Sequence, residues 1–189
     1  MKRLLPLLLV GCGGTLGHPS APTIRSTFDT DVEGWRIDGF NTDNHDYSIG
    51  QITPVVAIFD PSGAAMREET FYGGTDYFVA PADYLGDLSA YAHGTLRYTI
   101  RDEYVDEPFD APLVLLDGAG ARWRYDGTTT AGLTTTPFLI PFEGNAGWSR
   151  LEGTASFAEA LVGVTALQLR GEFSSEIDRS WIDDVALSP

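Results

Sequence analysis

The 189-residue sequence predicts an all-β fold, an antiparallel jelly-roll β-sandwich with one short helix. Short segments that alternate apolar and polar side chains recur along the chain, and 21 glycines and 11 prolines supply the turns between them. Strands do not alternate with long helical segments along the chain, so the sequence gives no indication of a parallel sheet. Aromatic residues make up 12% of the chain, which is enough to fill a core, so general disorder is not expected.

The clearest strands lie in the second half of the chain. Residues 95–101 (TLRYTIR) and 121–125 (ARWRY) alternate strictly, which predicts strands with one face toward solvent. Residues 112–117 (PLVLLD) form a continuous apolar run, which predicts a buried strand ending at a turn. Residues 60–74 and 102–110 show no such pattern and are predicted as loops. The remaining predicted strands are residues 31–37, 48–56, 57–59, 165–173 and 180–187.

One edge strand and one helix complete the predicted sandwich. Residues 134–142 are rich in β-forming side chains, but Pro137 and Pro141 cannot donate a backbone hydrogen bond, which favours the edge of a sheet. Residues 156–161 (SFAEAL) have the composition of a short helix, and Gly163 is placed to end it.

The N-terminus has the features of a lipoprotein signal peptide. Lys2 and Arg3 precede a seven-residue apolar run, which is too short to span a bilayer because a membrane helix needs about 20 residues. The run ends in Leu9-Val10-Gly11-Cys12, which resembles a bacterial lipobox and predicts lipid on Cys12, the only cysteine.

These features divide the chain into three parts. We predict a signal peptide at residues 1–11, a flexible Gly- and Pro-rich tether at 12–23 and the β-sandwich at 24–189. The membrane is then a partner through the lipid on Cys12, and the predicted location is the bacterial cell envelope. Gly13 rather than Asp follows the cysteine, which favours the outer membrane.

The charge of the chain excludes one class of partner. Twelve Lys and Arg against 27 Asp and Glu give a net charge of −15. Cleavage after residue 11 would remove Lys2 and Arg3 and leave a charge of −17 with no lysine. Because nucleic-acid binding depends on neutralising phosphates with basic side chains, we expect no nucleic-acid partner.

The segment 77–101 (YFVAPADYLGDLSAYAHGTLRYTIR) resembles the laminin B domain, also called laminin domain IV type A. The resemblance lies in an aromatic pair, Ala80-Pro81, the group Tyr84-Leu85-Gly86-Asp87, Tyr91 and the strand Leu96-Arg97-Tyr98. Later segments follow in the order of the family, to about Leu187. The chain lacks the cysteine-rich repeats that flank this domain in laminins, so a role in the laminin network is not implied.

The resemblance implies a jelly roll similar to galactose-binding-like domains and carbohydrate-binding modules. In such modules a structural Ca²⁺ often joins the first and last strands, and the matching positions here are Asp29 and Asp184. If Ile182 and Asp184 share one face of the last strand, Asp184 should point toward the packed side, where an unpaired carboxylate is costly. The alternative is that both acids are solvated turn residues.

The tryptophans are predicted mainly as packing residues. Trp35, Trp148 and Trp181 lie on alternating strands or beside turns, which favours the core or its rim. Trp123 and Tyr125 are a possible ligand face because arginines lie between and beside them; the alternative is an ordinary strand whose arginines face solvent. A carbohydrate site would need at least two exposed, coplanar aromatic rings in a groove.

Motifs of catalysis are absent from the sequence: it contains no H-E-x-x-H, G-x-S-x-G, P-loop or dinucleotide fingerprint. We therefore expect a non-catalytic, lipid-anchored interaction or adhesion module of the cell envelope, whose protein or glycan ligand the sequence does not identify. The alternative is a carbohydrate-binding module of the same jelly-roll fold. A glycoside-active enzyme is the third reading, and it would need two carboxyl groups about 5–10 Å apart in a cleft.

Overall fold

The computed structural model describes residues 21–41, 55–62, 64–68, 74–105, 108, 110–174 and 179–189. In these residues the chain forms thirteen strands in two antiparallel sheets, and one short α-helix. This arrangement confirms the predicted all-β sandwich. In chain order the elements are β1 Ile24–Ser26, β2 Arg36–Asn41, β3 Val55–Val56, β4 Ile58–Asp60, β5 Ala64–Glu68, β6 Gly74–Val79, β7 Thr95–Asp102, β8 Val114–Gly118, β9 Ala121–Tyr125, β10 Thr136–Pro141, β11 Trp148–Glu152, α1 Phe157–Leu161, β12 Val164–Arg170 and β13 Arg179–Ser188.

The two sheets have six and seven strands. The six-stranded sheet has the order β10-β7-β13-β5-β4, and β1 pairs with β13 beside this path. The seven-stranded sheet has the order β11-β9-β8-β12-β6-β2-β3. The interior between them holds a continuous aromatic and aliphatic core, whose burial stabilises the sandwich by about 25 cal/mol for each Å² of apolar surface removed from water.

The strands with the strictest alternation agree most closely with their predictions. Leu96, Tyr98 and Ile100 of β7 are fully buried, as the alternation of residues 95–101 indicated. β9 has the predicted bounds, and β10, with its two prolines, lies at the edge of the six-stranded sheet.

The predicted loop at residues 60–74 is wrong in part, because β5 lies inside it. β5 pairs with β4 on one side and with β13 on the other. Its first residues, Ala64 and Ala65, have neither the branched nor the aromatic side chains that mark a strand in sequence. They belong to the sheet because they are buried between two neighbouring strands. One of these strands, β13, is distant in sequence, so the local sequence does not reveal the pairing. The predicted strand at 48–56 falls largely outside the described residues, except for β3.

A β-bulge interrupts β13 and reverses the predicted orientation of Asp184. Asp183 pairs with Thr99 and Ala186 with Arg97, so two residues of β13 oppose the single residue Tyr98. Asp184 adopts a φ of 52° and is exposed. The inward positions therefore change from Ile182 to Val185, and the expectation that Asp184 faces the packed side is wrong.

On the side away from β7, β13 pairs with two different strands, one before the bulge and one after it. Residues 179–182 pair with β5, and residues 185–187 pair with β1. The seam between the chain ends is closed by side chains that meet at Ser26. Its hydroxyl oxygen accepts a hydrogen bond from Trp35 Nε1 at 2.9 Å, and Tyr84 Oη donates to Val185 O at 3.1 Å.

The helix α1 covers one end of the sandwich. Ser156 and Glu159 form a reciprocal capping box, in which Ser156 Oγ accepts from Glu159 N at 3.3 Å and Glu159 Oε2 accepts from Ser156 N at 2.7 Å. Phe157 is buried. The helix approaches β8 so closely that a Cβ on Gly118 would lie 2.1 Å from the Ala160 carbonyl oxygen, so this contact requires glycine.

Candidate functional site

A cleft opens between α1, β9 and the turns before β7 and after β10. Its volume is about 420 Å³, and its lining is mainly apolar. Trp123, Phe142 and Phe157 provide the aromatic surface, whereas His93 and Glu143 provide polar groups. A cleft of this size falls in the range of ligand pockets.

Trp123 joins the cleft to the core. Its ring meets Phe157 edge to face, with centroids 5.5 Å apart and an interplanar angle of 79°. The Arg150 guanidinium lies 5.9 Å from the Trp123 ring centroid. Trp123 Nε1 is buried without a hydrogen-bond partner among the described residues. A buried donor without an acceptor is costly, and because this atom is inaccessible, the cleft meets a ligand through the ring of Trp123 and not through its N–H.

Tyr125, the second residue of the predicted ligand face, has a packing role. Its ring contacts Trp148 edge to face, with centroids 5.6 Å apart. Gly147, at a φ of 96°, leaves room for it, since a Cβ there would lie 2.8 Å from Tyr125 Cε2. Tyr125 is not among the residues that line the cleft, so the structure does not bring Trp123 and Tyr125 together as one platform.

His93 and Glu143 form an exposed pair beside the cleft. His93 Nδ1 lies 3.4 Å from Glu143 Oε1, and the His93 side chain is 77% exposed. His93 has a φ of 72°, and its backbone N–H donates to Phe142 O at 3.0 Å. The turn therefore holds His93 in place through its backbone, while its side chain is free to reach a ligand.

The acids expected to bind Ca²⁺ lie at the seam between the first and last strands. Burial, followed by the charges of Asp184, Asp29 and Glu33, raises the pKa of Asp183. Because Ser26 pairs with Val185, the segment that carries Asp29 begins beside Asp184. Asp29 Oδ2 already accepts from Thr27 Oγ1 at 2.8 Å.

Local hydrogen bonds organise this acidic seam. Glu33 Oε1 accepts from the N–H groups of Thr27 at 3.1 Å and Phe28 at 2.7 Å. Among the described residues, no three His, Cys, Asp or Glu side chains converge as metal ligands. A Ca²⁺ at Asp29 and Asp184 would thus depend on carbonyl oxygens and water for most of its six to eight ligands.

Two of the other three tryptophans have their predicted packing roles. Trp35 and Trp148 are buried in the core. Trp181 is half-buried on the outer face of the six-stranded sheet and belongs neither to the core nor to the side chains packed against it, so its predicted position in the core or at its rim is wrong.

A buried polar layer on the outer face of the seven-stranded sheet was not predicted. Arg122, expected on a solvent-exposed face, is only 2% exposed and forms a two-point ion pair with Asp117, with both N–O distances at 2.6 Å. Asp38 is 5% exposed and accepts from Gln168 Nε2 at 2.9 Å. Burial raises the pKa of Asp38 to about 7, although the nearby Arg122 charge opposes this. The only sequence signal was the alternation itself, which does not distinguish a solvated face from a covered one.

Comparison with known proteins identifies the family. The model of the family described as Laminin B (Domain IV) matches residues 77–188, more than half of the chain. The chain belongs to the laminin B family. The predicted motif therefore has a structural meaning: Tyr84, Tyr91 and Tyr98 are all buried, and the first two use their hydroxyls to hold distant backbone carbonyls.

Laminin gamma subunits are similar over nearly the whole chain. Laminin subunit gamma-1 of Xenopus tropicalis is 27% identical over 182 residues, covering 93% of this chain and 11% of that protein. Human laminin subunit gamma-2 is 28% identical over 174 residues, covering 89% of this chain and 14% of that protein. The chain thus spans between 11% and 14% of the length of these relatives.

The fold agrees with a solved laminin domain. The L4b domain of human laminin alpha-2 superposes with a TM-score of 0.64 at 12% identity, covering 89% of this chain and 96% of that domain. A family 11 carbohydrate-binding module of a Clostridium thermocellum cellulase is a more distant neighbour, with a TM-score of 0.45 at 12% identity; the match covers 88% of this chain and 86% of that module.

The described helical structure includes no segment with the length and hydropathy of a membrane span.

Proposed function

We propose that this laminin B domain is a non-catalytic interaction module of a bacterial cell envelope, and that the cleft beside Trp123 takes its ligand. The observation that carries the proposal is a preformed, mainly apolar cleft on a laminin B sandwich. The aromatic rings of Trp123, Phe142 and Phe157 line it. These features suit an apolar side chain of a partner protein.

The carbohydrate alternative has less support at this cleft. Stacking of sugar rings needs open aromatic faces, but the rings of Trp123 and Phe157 stand at 79° to each other. Tyr125 packs on Trp148 instead of extending the surface. We therefore design the experiment for an apolar side chain as the ligand of this cleft.

The ligand proposal can be tested by NMR of the indole N–H groups. The chain has four tryptophans, and a Trp123→Phe variant assigns the Trp123 signal. We expect N-acetyl-leucine amide and N-acetyl-phenylalanine amide to shift this signal saturably, because each offers an apolar side chain that would pack against the Trp123 ring. Trp181→Phe, altered on the other sheet, is the control and should bind as the wild type does. A shift with cello-oligosaccharides but not with the amides would favour the carbohydrate alternative, and no shift with either would reject the cleft as the ligand site.

Lipid anchoring is the second part of the proposal. Cys12 lies outside the described residues, so the proposal rests on the sequence pattern around it. Ala21 packs against the core and Pro22 O accepts from Tyr91 Oη, so at most nine residues, 12–20, separate Cys12 from the sandwich; at 3.3–3.6 Å per residue they could span about 30 Å. The protein should incorporate labelled palmitate in a bacterial host, and Cys12→Ser should abolish the label whereas Ser20→Ala should not. Equal labelling of the wild type and Cys12→Ser would contradict the anchor.

We also propose that Ca²⁺ joins the chain ends at Asp29 and Asp184. What supports it is the pairing of the chain ends: Ser26, three residues before Asp29, pairs with Val185, the neighbour of Asp184. The exposed position of Asp184 at the bulge leaves its carboxylate accessible to a cation.

A further inference from the structure

The outer face of the six-stranded sheet carries a small polar pocket that the proposed function does not use. Its volume is about 160 Å³. Two cross-strand pairs line it: Arg101 opposite Trp181, and Thr99 opposite Asp183. Residues from outside these two strands complete the lining: the hydroxyl-bearing Ser62 after β4 and Thr135 before β10, and Ala64 of β5.

Trp181 is fixed as one wall of this pocket. Its Nε1 donates to Asp60 Oδ2 at 2.6 Å, and Asp60 Oδ1 accepts from Ser62 N at 2.7 Å. The Arg101 guanidinium lies over the indole, 3.7 Å from the ring centroid. The cation–π contact orients Arg101, and because guanidinium donors point outward in the plane of the group, stacking leaves them available.

Arg101 and Asp183 contribute opposite charges to the same pocket without neutralising each other. Within the described parts of the chain, neither side chain forms a salt bridge. Asp183 Oδ1 accepts from the neighbouring Asp184 N at 2.6 Å, which orients the carboxylate and leaves Oδ2 for another donor. The pocket therefore presents a planar cationic fork and a separate anionic acceptor.

We propose that this pocket binds the zwitterionic head group of an amino acid. The ligand carboxylate would pair with the two-pronged edge of Arg101, and its ammonium group would donate to Asp183. The pocket is smaller than the 300–1,000 Å³ typical of drug-sized ligands, about 160 Å³, which suits a small molecule or a head group. A net-neutral ligand also avoids the repulsion that a chain of charge −15 exerts on a free anion.

A stacked sugar fits the same pocket less well. Arg101 already covers one face of the Trp181 ring, and a sugar would leave both charges without ionic partners. The proposal does not depend on the lipid anchor or on the cleft beside Trp123, which lies in a different part of the sandwich.

The proposal is tested by titrating the purified domain with glycine and alanine in the presence of EDTA, which removes any Ca²⁺ bound near Asp184. We expect saturable shifts of the Trp181 indole signal, assigned with Trp181→Phe, while the Trp123 signal stays unchanged. Acetate and methylamine, which each carry one half of the zwitterion, should bind at least tenfold more weakly, and so should glucose.

Two single variants and one matched control test the assigned contacts. Arg101→Lys keeps the charge but loses the planar fork, and Asp183→Asn removes the anion; each should weaken glycine binding at least tenfold while the thermal melt remains cooperative. Arg97→Gln is the control, since Arg97 is exposed on the same strand but does not line the pocket. No saturable binding of glycine or alanine in the millimolar range, equal binding of acetate or glucose, or unchanged affinity in both variants would overturn the proposal.

Discussion

The buried carboxyl of Asp38 should make the stability of this domain fall as pH rises. Its pKa is about 7 in the folded protein against an ordinary value of 3.8, so between these values the folded state binds the proton more tightly than the unfolded state. Because the folded state then holds more protons, the free energy of unfolding decreases with rising pH. The full difference of about 3 in pKa corresponds to about 4 kcal/mol at 1.36 kcal/mol per pH unit, lost between about pH 4 and pH 8.

The substitution Asp38→Asn should remove this loss. Asparagine keeps an oxygen that can accept from Gln168 Nε2, which now donates to Asp38 Oδ2 at 2.9 Å, but it carries no charge to bury. Urea unfolding at a series of pH values should show the variant gaining about 4 kcal/mol on the wild type as the pH rises from about 4 to 8. Asp110→Asn, at an exposed acid, should follow the wild type. Parallel curves for wild type and Asp38→Asn would refute this reasoning, because Asp38 would then have the same pKa in both states.

Three further outcomes follow from individual contacts. If Ca²⁺ binds at the seam, EGTA should lower the melting temperature of the wild type but not of Asp184→Ala; a wild type that EGTA leaves unchanged would contradict the site. Gly94→Ala should destabilise the fold by about 3 kcal/mol in urea unfolding, because the added Cβ would lie 2.0 Å from Ser188 O, whereas Gly163→Ala, with open space around it, should be neutral. Equal stability of the two would rule out that steric explanation. Ser156→Ala should cost about 1 kcal/mol through the lost helix cap, as measured by thermal or urea unfolding, and no loss would show that the cap is dispensable.

Local patterns predicted those parts of the sandwich whose side chains alternate between core and solvent. Leu96, Tyr98 and Ile100 are spaced two apart and all are buried, so periodicity alone placed β7 correctly. The prediction failed at Arg122, because its burial depends on Asp117 of the adjacent strand. Asp38 lies just beyond the predicted strand 31–37, and no sequence signal indicated that it is buried. Both cases have one cause: sequence alternation shows which side chains share a face, but not what covers that face.

The bulge at Asp184–Val185 shows why the pockets were harder to predict than the strands. A strict alternation through β13 would keep Ile182 and residue 184 on one face, but the extra residue moves the inward position to Val185. Asp183 precedes the bulge and lies on the outer face beside Arg101 and Trp181 by ordinary alternation, whereas the shift exposes Asp184 at the seam. One inserted residue thus decides that the carboxylate of Asp184 faces solvent instead of the core. The position of the bulge is set by the pairing of β13 with β7 on one side and with β5 and β1 on the other. It therefore depends on four strands, of which β1 and β7 are separated by about 70 residues of chain.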